Sequence, residues 1–418
     1  MTSPNRAFWL RAAYEEMCSI VKHGTFDLVT EIPPGRKPLQ SKWVWKTKKH
    51  ANGTIERFKG RWVVHGDLQK KGINYTETFA PVTNLVTLHI FLTIVAILDL
   101  EMDQLDVISA FLNSQIDTKV FLHQLEGFQL AIEYYCQLHK SIYGLCQGAK
   151  SWYMVLHEAL TEDDFKRLMA DLACWIKRGE SLKAACILIA WVDHILIAGS
   201  REKINANKAH LVTKFKIEDQ GPADMFINIK IKRDRDRRII YLDQSYYCRD
   251  ILDLYGMGDC NPCLLPMNPG LSLAKAKTQE SLSETEKKRY QVMIGFLGYL
   301  MNCSRPDITF AIGKLGLYAA CPSEKHLLVA KHVFQYIKGT IDTCMIIGGY
   351  LDNLLPNIST FFDTSFANDP DDRRSTFGYM IQFGHTTILW KSKKHKAITL
   401  STTDAEYVAT SETTRDIS

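Results

Sequence analysis

Apolar residues recur at three- and four-residue steps near the start of the chain: Phe8, Trp9, Ala12, Ala13, Met17, Ile20 and Val21. That period predicts a helix with one buried face, and Gly24 ends it. The pattern then switches to alternation. In SKWVWKTKKHANGTIERFKGRWVV (residues 41–64) apolar and basic positions alternate on both sides of Asn52-Gly53, the strongest short hairpin signal. Leu85 to Leu100 is apolar nearly all round, which predicts a buried helix. QLDVISAFLN (residues 104–113) reads as an apolar strand running into a helix. Short strands are expected at Val120 to Leu122 and Cys136 to Leu138, and a helix over Ser151 to Phe165. Two apolar runs between Ala184 and Ala198 are split at Asp193-His194, a helix follows from Ile204 to Phe215, and Phe226 to Leu242 reads as a hairpin. Gly256 to Ser272, rich in Gly, Pro and Asn, has the composition of a linker. Helical patterns cover Glu284 to Met301 and His326 to Ile337, and strands return from Ser359, ending in a helix near Thr403. Helices and strands mix without regular βαβ alternation and without a fixed-period repeat, so the expected class is α+β with several domains.

Charge sharpens one part of this picture. Across 418 residues, 51 basic side chains face 46 acidic ones, a net +5. Between Arg36 and Lys71, however, eleven Lys or Arg are opposed by Glu56 and Asp67 alone, with Trp43, Trp45, Phe58 and Trp62 interleaved. A basic ribbon that carries aromatics suits a polyanion, either a nucleic-acid backbone or a nucleoside triphosphate; the plainer reading is a solvated strand face. Two further basic runs, Lys230 to Arg238 and Lys391 to Lys396, suggest an extended track rather than one small pocket.

Composition excludes other classes. Hydrophobic residues at 46% and charged residues at 23% are globular values, so wholesale disorder is out. Eleven cysteines spread over the whole length are not a disulfide scaffold, and the single CxxC at Cys260 and Cys263 lacks the second pair of a zinc site. No secretory signal pattern or membrane-length apolar run is present. The expectation is an intracellular protein, cytoplasmic or nuclear, that neither crosses a membrane nor is secreted.

Two aspartates stand inside strongly β-prone apolar runs, Asp106 in QLDVISAF and Asp193 between ILIAWV and ILIAG. A buried carboxylate needs a partner or a metal. On neighbouring strands the pair could hold Mg²⁺ (or Mn²⁺) for two-metal phosphoryl transfer, while an ordinary turn would also explain Asp193.

These blocks resemble the reverse transcriptase and RNase H segment of copia-type LTR retrotransposon polyproteins, in consistent order from about Trp9 to Ser411. The resemblance rests on RFKGRWVVHGDLQKKGINYTETFAPV from Arg57, QLDVISAFLN from Gln104, SIYGLCQGAKSWY from Ser141 and WVDHILIAG from Trp191. It continues in CSRPDITFAIG from Cys303, YIKGT from Tyr336, DDRRSTFGY from Asp371, WKSKKH from Trp390 and STTDAEYVA from Ser401. It implies a right-hand polymerase (fingers, palm and partial thumb) followed by a truncated RNase H-like α/β domain. The implied division is an N-terminal helix and basic fingers hairpin over 1–75 and palm and fingers over 76–270. A helical thumb or connection follows over 271–350, and the start of RNase H over 351–418. The implied activity is RNA-directed DNA synthesis on an RNA template with a DNA primer and deoxynucleoside triphosphates; the oligomeric state is left open.

By position the resemblance makes Asp106 and Asp193 the metal-binding palm aspartates. Phe111 becomes the steric gate against a ribonucleotide 2′-hydroxyl, Lys59 and Arg61 the triphosphate contacts, and Gln147 a residue at the nucleotide and template pocket. Asp363 and Glu406 become the first two RNase H carboxylates; Thr403 to Glu406 also reads as a capping box. The chain departs from the family pattern at His194, which stands where the family has a second aspartate, and at Trp191, Cys146, Ala149, His89 and Asn228. A histidine is a poor partner for Mg²⁺, so impaired catalysis is expected. With the next RNase H carboxylate falling after Ser418, no RNase H activity is expected of this chain alone. The alternatives are a catalytically inactive nucleic-acid-binding remnant and a non-functional transposon fossil.

Overall fold

The two apolar runs around Asp193 form a hairpin inside a six-stranded sheet. The computed structural model describes every residue except 1–4, 50–53, 131–133, 277–280, 351–356 and 418. It divides into two units, one of Met1–Thr83 with Asp103–Gly221 and the other of Asn84–Met102 with Pro222–Ser418. Helix and strand are mixed as the α+β reading expects.

In the first unit the large sheet runs in the order Ile217–Pro222, Glu101–Val107, His194–Gly199, Cys186–Trp191, Cys174–Lys177, Lys166–Arg167. Both hairpin strands are buried at nearly every position, which explains why their apolar runs are continuous rather than alternating. The helices Gly148–Glu162 and Arg201–Lys214 contribute Trp152, Leu156, Leu160, Ile204 and Leu211 to the same core as Leu188, Ile195 and Ile197. Asp103, on the strand that carries Asp106, is buried and accepts from Arg201 at 2.6 Å and from Lys208, which also reaches Asp219 at 2.7 Å. This network ties the aspartate strand to the helix and the edge strand beside it.

The basic hairpin pairs Ser41–Lys49 with Ile55–Val64; its expected turn at Asn52-Gly53 lies outside the described residues. Opposed residues share a face. Trp43 opposite Trp62, Trp45 opposite Gly60 and Thr47 opposite Phe58 make one face aromatic. Val44 opposite Arg61, Lys46 opposite Lys59 and Lys48 opposite Arg57 make the other basic. Trp9 of the first helix, Arg6–Lys22, closes on Phe58 and Trp45 with ring centroids 4.5 and 5.4 Å apart. Gly60 makes this packing possible, because a Cβ there would sit 2.7 Å from the Trp45 ring.

The second unit contains the largely apolar helix, Leu85–Leu98, capped by the Asn84 side chain at Val86 N. Its C-terminal end meets the second basic run. Arg233 donates to Val95 O, Leu100 O and Asp99, while Arg235 bridges Asp99 and Glu101. Those arginines neutralise a helix C-terminus and form no open track. Two lysines of the third run are likewise engaged, Lys394 on Asp369 and Asp372 at 3.0 and 2.9 Å and Lys391 on Asp416. The extended track expected from three separated basic patches therefore loses Arg233, Arg235, Lys391 and Lys394 to pairing within the second unit, while Lys393 and Lys396 of the third run stay exposed. Further along, Glu284–Cys303, Thr309–Gly316 and Glu324–Gly339 pack around Leu297, Ile312 and Phe334.

Gly256 to Ser272 does not join the two units. Both ends lie in the second, and Met267 is buried in that helical core. The last helix, Thr402–Ile417, is capped two residues earlier than expected, by Ser401 Oγ accepting from Asp404 N at 3.1 Å.

His89, on the apolar helix, is fully buried against two carbonyls, Cys303 O at 2.9 Å and Ile388 O at 3.1 Å. Burial holds its pKa below the usual histidine range. The neutral ring donates to one carbonyl only, and protonation in the folded state is disfavoured. Stability from this group is therefore present above the unfolded histidine pKa, about 6.5, and declines as pH falls below it. Thermal melts of the chain at descending pH should show this decline, and His89→Gln should flatten it. Asp103→Asn should destabilise the first unit by about 1–3 kcal/mol, since it removes the buried carboxylate charge that Arg201 and Lys208 share; urea denaturation measures this.

Candidate active site

The aspartate strand and the hairpin lie side by side, joined at their ends by Val107 N donating to Asp193 O at 2.9 Å. This register puts Asp106 and Asp193 together with His194. One ligand atom from each of the three lies within 4.8 Å of the others. The chain turns between Trp191 and His194, which oppose each other, through Val192 and Asp193. His194 thus opens the second strand rather than sharing the turn. Val192 holds φ at +60°, a region that β-branched residues rarely enter and that concentrates at functional sites. Trp152 steadies the turn, its buried indole N–H donating to Val192 O at 2.7 Å.

His194 stands between the carboxylates, Nδ1 at 3.6 Å from Asp106 and Nε2 at 3.8 Å from Asp193. Nδ1 is buried and makes no hydrogen bond. Burial raises the Asp106 pKa; the charges of Asp193 and Glu218 add to this, and His194 and Lys48 oppose it.

The basic hairpin meets Asp193 at a cavity of about 140 Å³, which Asp106 and His194 do not line. Arg57, Lys59 and Arg61 line it from the hairpin, with Asp193, Glu218, Tyr143 and Glu16. Burial, reinforced by the charges of Arg61, Lys48 and Arg57, holds the Lys59 ammonium below its ordinary range. Arg61 lies over the Tyr143 ring at 4.3 Å, and Phe111 packs edge-on to the same ring at 4.9 Å. Glu16 accepts from Trp62 N at 3.3 Å, and burial raises its pKa.

Gln147 is buried and does not line this cavity. Its amide donates to Asn74 O at 3.0 Å and its oxygen accepts from Gln69 at 3.1 Å, so it holds the segment between those residues. In the second unit Asp363 lies on the strand Ile358–Ser365 and Glu406 on the last helix, both exposed. Neither belongs to a group of three possible metal ligands among the described residues.

Sequence reasoning overlooked Glu16, Glu218, Tyr143 and Trp152. Tyr143 and Trp152 stood within the quoted block SIYGLCQGAKSWY, so a signal existed for them. Glu16 and Glu218 are surface-type residues in a helix and an edge strand, and only the packing brings them to the cavity.

A family model described as reverse transcriptase (RNA-dependent DNA polymerase) matches residues 23–269. Among curated proteins, the retrovirus-related Pol polyprotein from transposon TNT 1-94 of Nicotiana tabacum is 35% identical over 423 aligned residues, covering 100% of this chain and 31% of that protein. The corresponding polyprotein from transposon RE1 of Arabidopsis thaliana is 30% identical, covering 98% of this chain and 27% of that protein. The chain thus spans about a third or less of these relatives. No described helix is long and apolar enough to cross a membrane.

Trp152→Phe removes the side-chain donor that holds the Val192 carbonyl. The expected cost is about 1–3 kcal/mol in denaturant unfolding. Exchange at the Asp193 and His194 amides should accelerate more than in the strand interiors, as hydrogen-exchange mass spectrometry would show.

Proposed function

Because the chain belongs to the reverse transcriptase family of copia-type retrotransposon Pol polyproteins, we propose that its first unit carries an RNA-directed DNA polymerase site. The observation that carries this reading is a single cavity with Asp193 on one side and Arg57, Lys59 and Arg61 on the other, next to Asp106. Nucleotidyl transfer requires this pairing of opposites: cations for a triphosphate, and carboxylates where divalent ions neutralise developing charge.

Asp106 and Asp193 would hold the ion, and the close approach of three ligand atoms with an unpartnered Nδ1 fits that role. A bound divalent ion supplies Lewis-acid neutralisation of phosphate charge. Lys59 and Arg61 contact the incoming triphosphate. Phe111 limits the space beside the sugar, its ring held by Tyr143. Gln147 acts indirectly, as a positioning residue. The template-primer duplex approaches along the basic face of the hairpin. We read 1–75 as helix and fingers hairpin, 76–270 as palm and fingers, 271–350 as thumb or connection, and 351–418 as an RNase H-like portion carrying Asp363 and Glu406.

His194 favours a second reading, nucleic-acid binding with catalysis lost. An imidazole in place of a carboxylate removes one negative charge from the site and weakens the electrostatic contribution. Primer extension on an RNA template separates the two. The polymerase reading expects incorporation with a divalent ion present and a rise in rate for His194→Asp; no incorporation by either protein leaves binding alone. In both readings Lys59→Ala with Arg61→Ala should weaken RNA–DNA binding and reduce the slope of log K against log salt by about 1–2.

A further inference from the structure

The charge balance around the two aspartates differs from that around their neighbours. Asp103, three residues before Asp106 on the same strand, is paired with Arg201 and Lys208, and Asp163 with Lys177 at 2.8 Å. Among the described residues, Asp106 and Asp193 make no ion pair with a lysine or arginine, and the one basic side chain within 4 Å of either is His194. At 3.6 and 3.8 Å the ring is too far for hydrogen bonds to the carboxylates. Two half-buried carboxylates converging on an imidazole whose Nδ1 is buried and unpartnered leave a place for a cation.

The donor set decides which cation. Mg²⁺ requires near-ideal octahedral oxygen coordination and keeps several waters, so a nitrogen donor gives it little. First-row transition ions accept imidazole together with carboxylate. Resting on the reading of Asp106 and Asp193 as metal ligands, we propose that this site binds Mn²⁺, or a later first-row divalent ion, in preference to Mg²⁺, with His194 as the nitrogen ligand. The substitution then changes which ion the site selects, and does more than weaken it.

Mn²⁺ binding to the full chain, followed by the loss of the free-ion electron paramagnetic resonance signal, gives affinity without reference to catalysis. Mg²⁺ competition should require roughly tenfold or more excess to displace Mn²⁺. Pulsed measurements on bound Mn²⁺ should show nitrogen coupling from an imidazole. His194→Asp should abolish that coupling and narrow the Mn²⁺ over Mg²⁺ preference. His194→Gln, which adds no charge, should abolish it as well, with circular dichroism verifying the fold. Displacement of Mn²⁺ by equal Mg²⁺, absence of nitrogen coupling in the unaltered chain, or its persistence in either variant would overturn the proposal. Nitrogen-coupled Mn²⁺ without nucleotide incorporation would remove the polymerase reading and leave the metal site standing. Incorporation with Mg²⁺ and no nitrogen coupling would do the reverse.

Discussion

Asp106 and Asp193 sit at the ends of adjacent strands, half removed from water and close enough to feel each other's charge. Like charges in partial burial repel and lose hydration, so the arrangement survives only if the strands cannot move apart. Much of the first unit serves that constraint. Continuous apolar strands anchor the hairpin in the sheet core, the Asp103 network locks the neighbouring strand to a helix, and Trp152 grips the turn. The basic face of the hairpin then supplies opposite charge at the cavity, and among the described residues it forms no salt bridge to the two aspartates. Charges that do not pair with each other across a cavity remain available to a ligand, whereas those joined across it are already used.

The same principle sorts the other basic runs. Arg233 and Arg235 are spent on the end of the apolar helix, and Lys391 and Lys394 on acids from distant parts of the second unit. Counting charge along a chain overestimates what a polyanion would meet. At the hairpin, strand pairing sends Trp43, Trp45 and Phe58 to one face and Lys46, Lys59 and Arg61 to the other.

His194 and His89 show how one residue type takes two roles by location. His89 is sealed between two carbonyls and stacks on Trp390 at 5.3 Å, so its work is structural. His194 stands at a strand start with a buried, unpartnered nitrogen between two carboxylates, which makes it a candidate ligand.

By itself the sequence determined the elements whose patterning is local. The hairpin, the largely apolar helix and the interrupted strands were legible because period and burial follow from neighbouring residues. The two aspartates and the basic ribbon were legible for the same reason, since charge inside an apolar or aromatic pattern stands out. Tertiary structure alone decided the grouping of Leu85–Leu98 with the second unit, the pairing of Arg233, Arg235, Lys391 and Lys394, the burial of Gln147 outside the cavity, and the arrival of Glu16 and Glu218 at it. Those outcomes depend on contacts between residues tens to hundreds of positions apart. No local pattern encodes which distant partner a charged or polar side chain will meet.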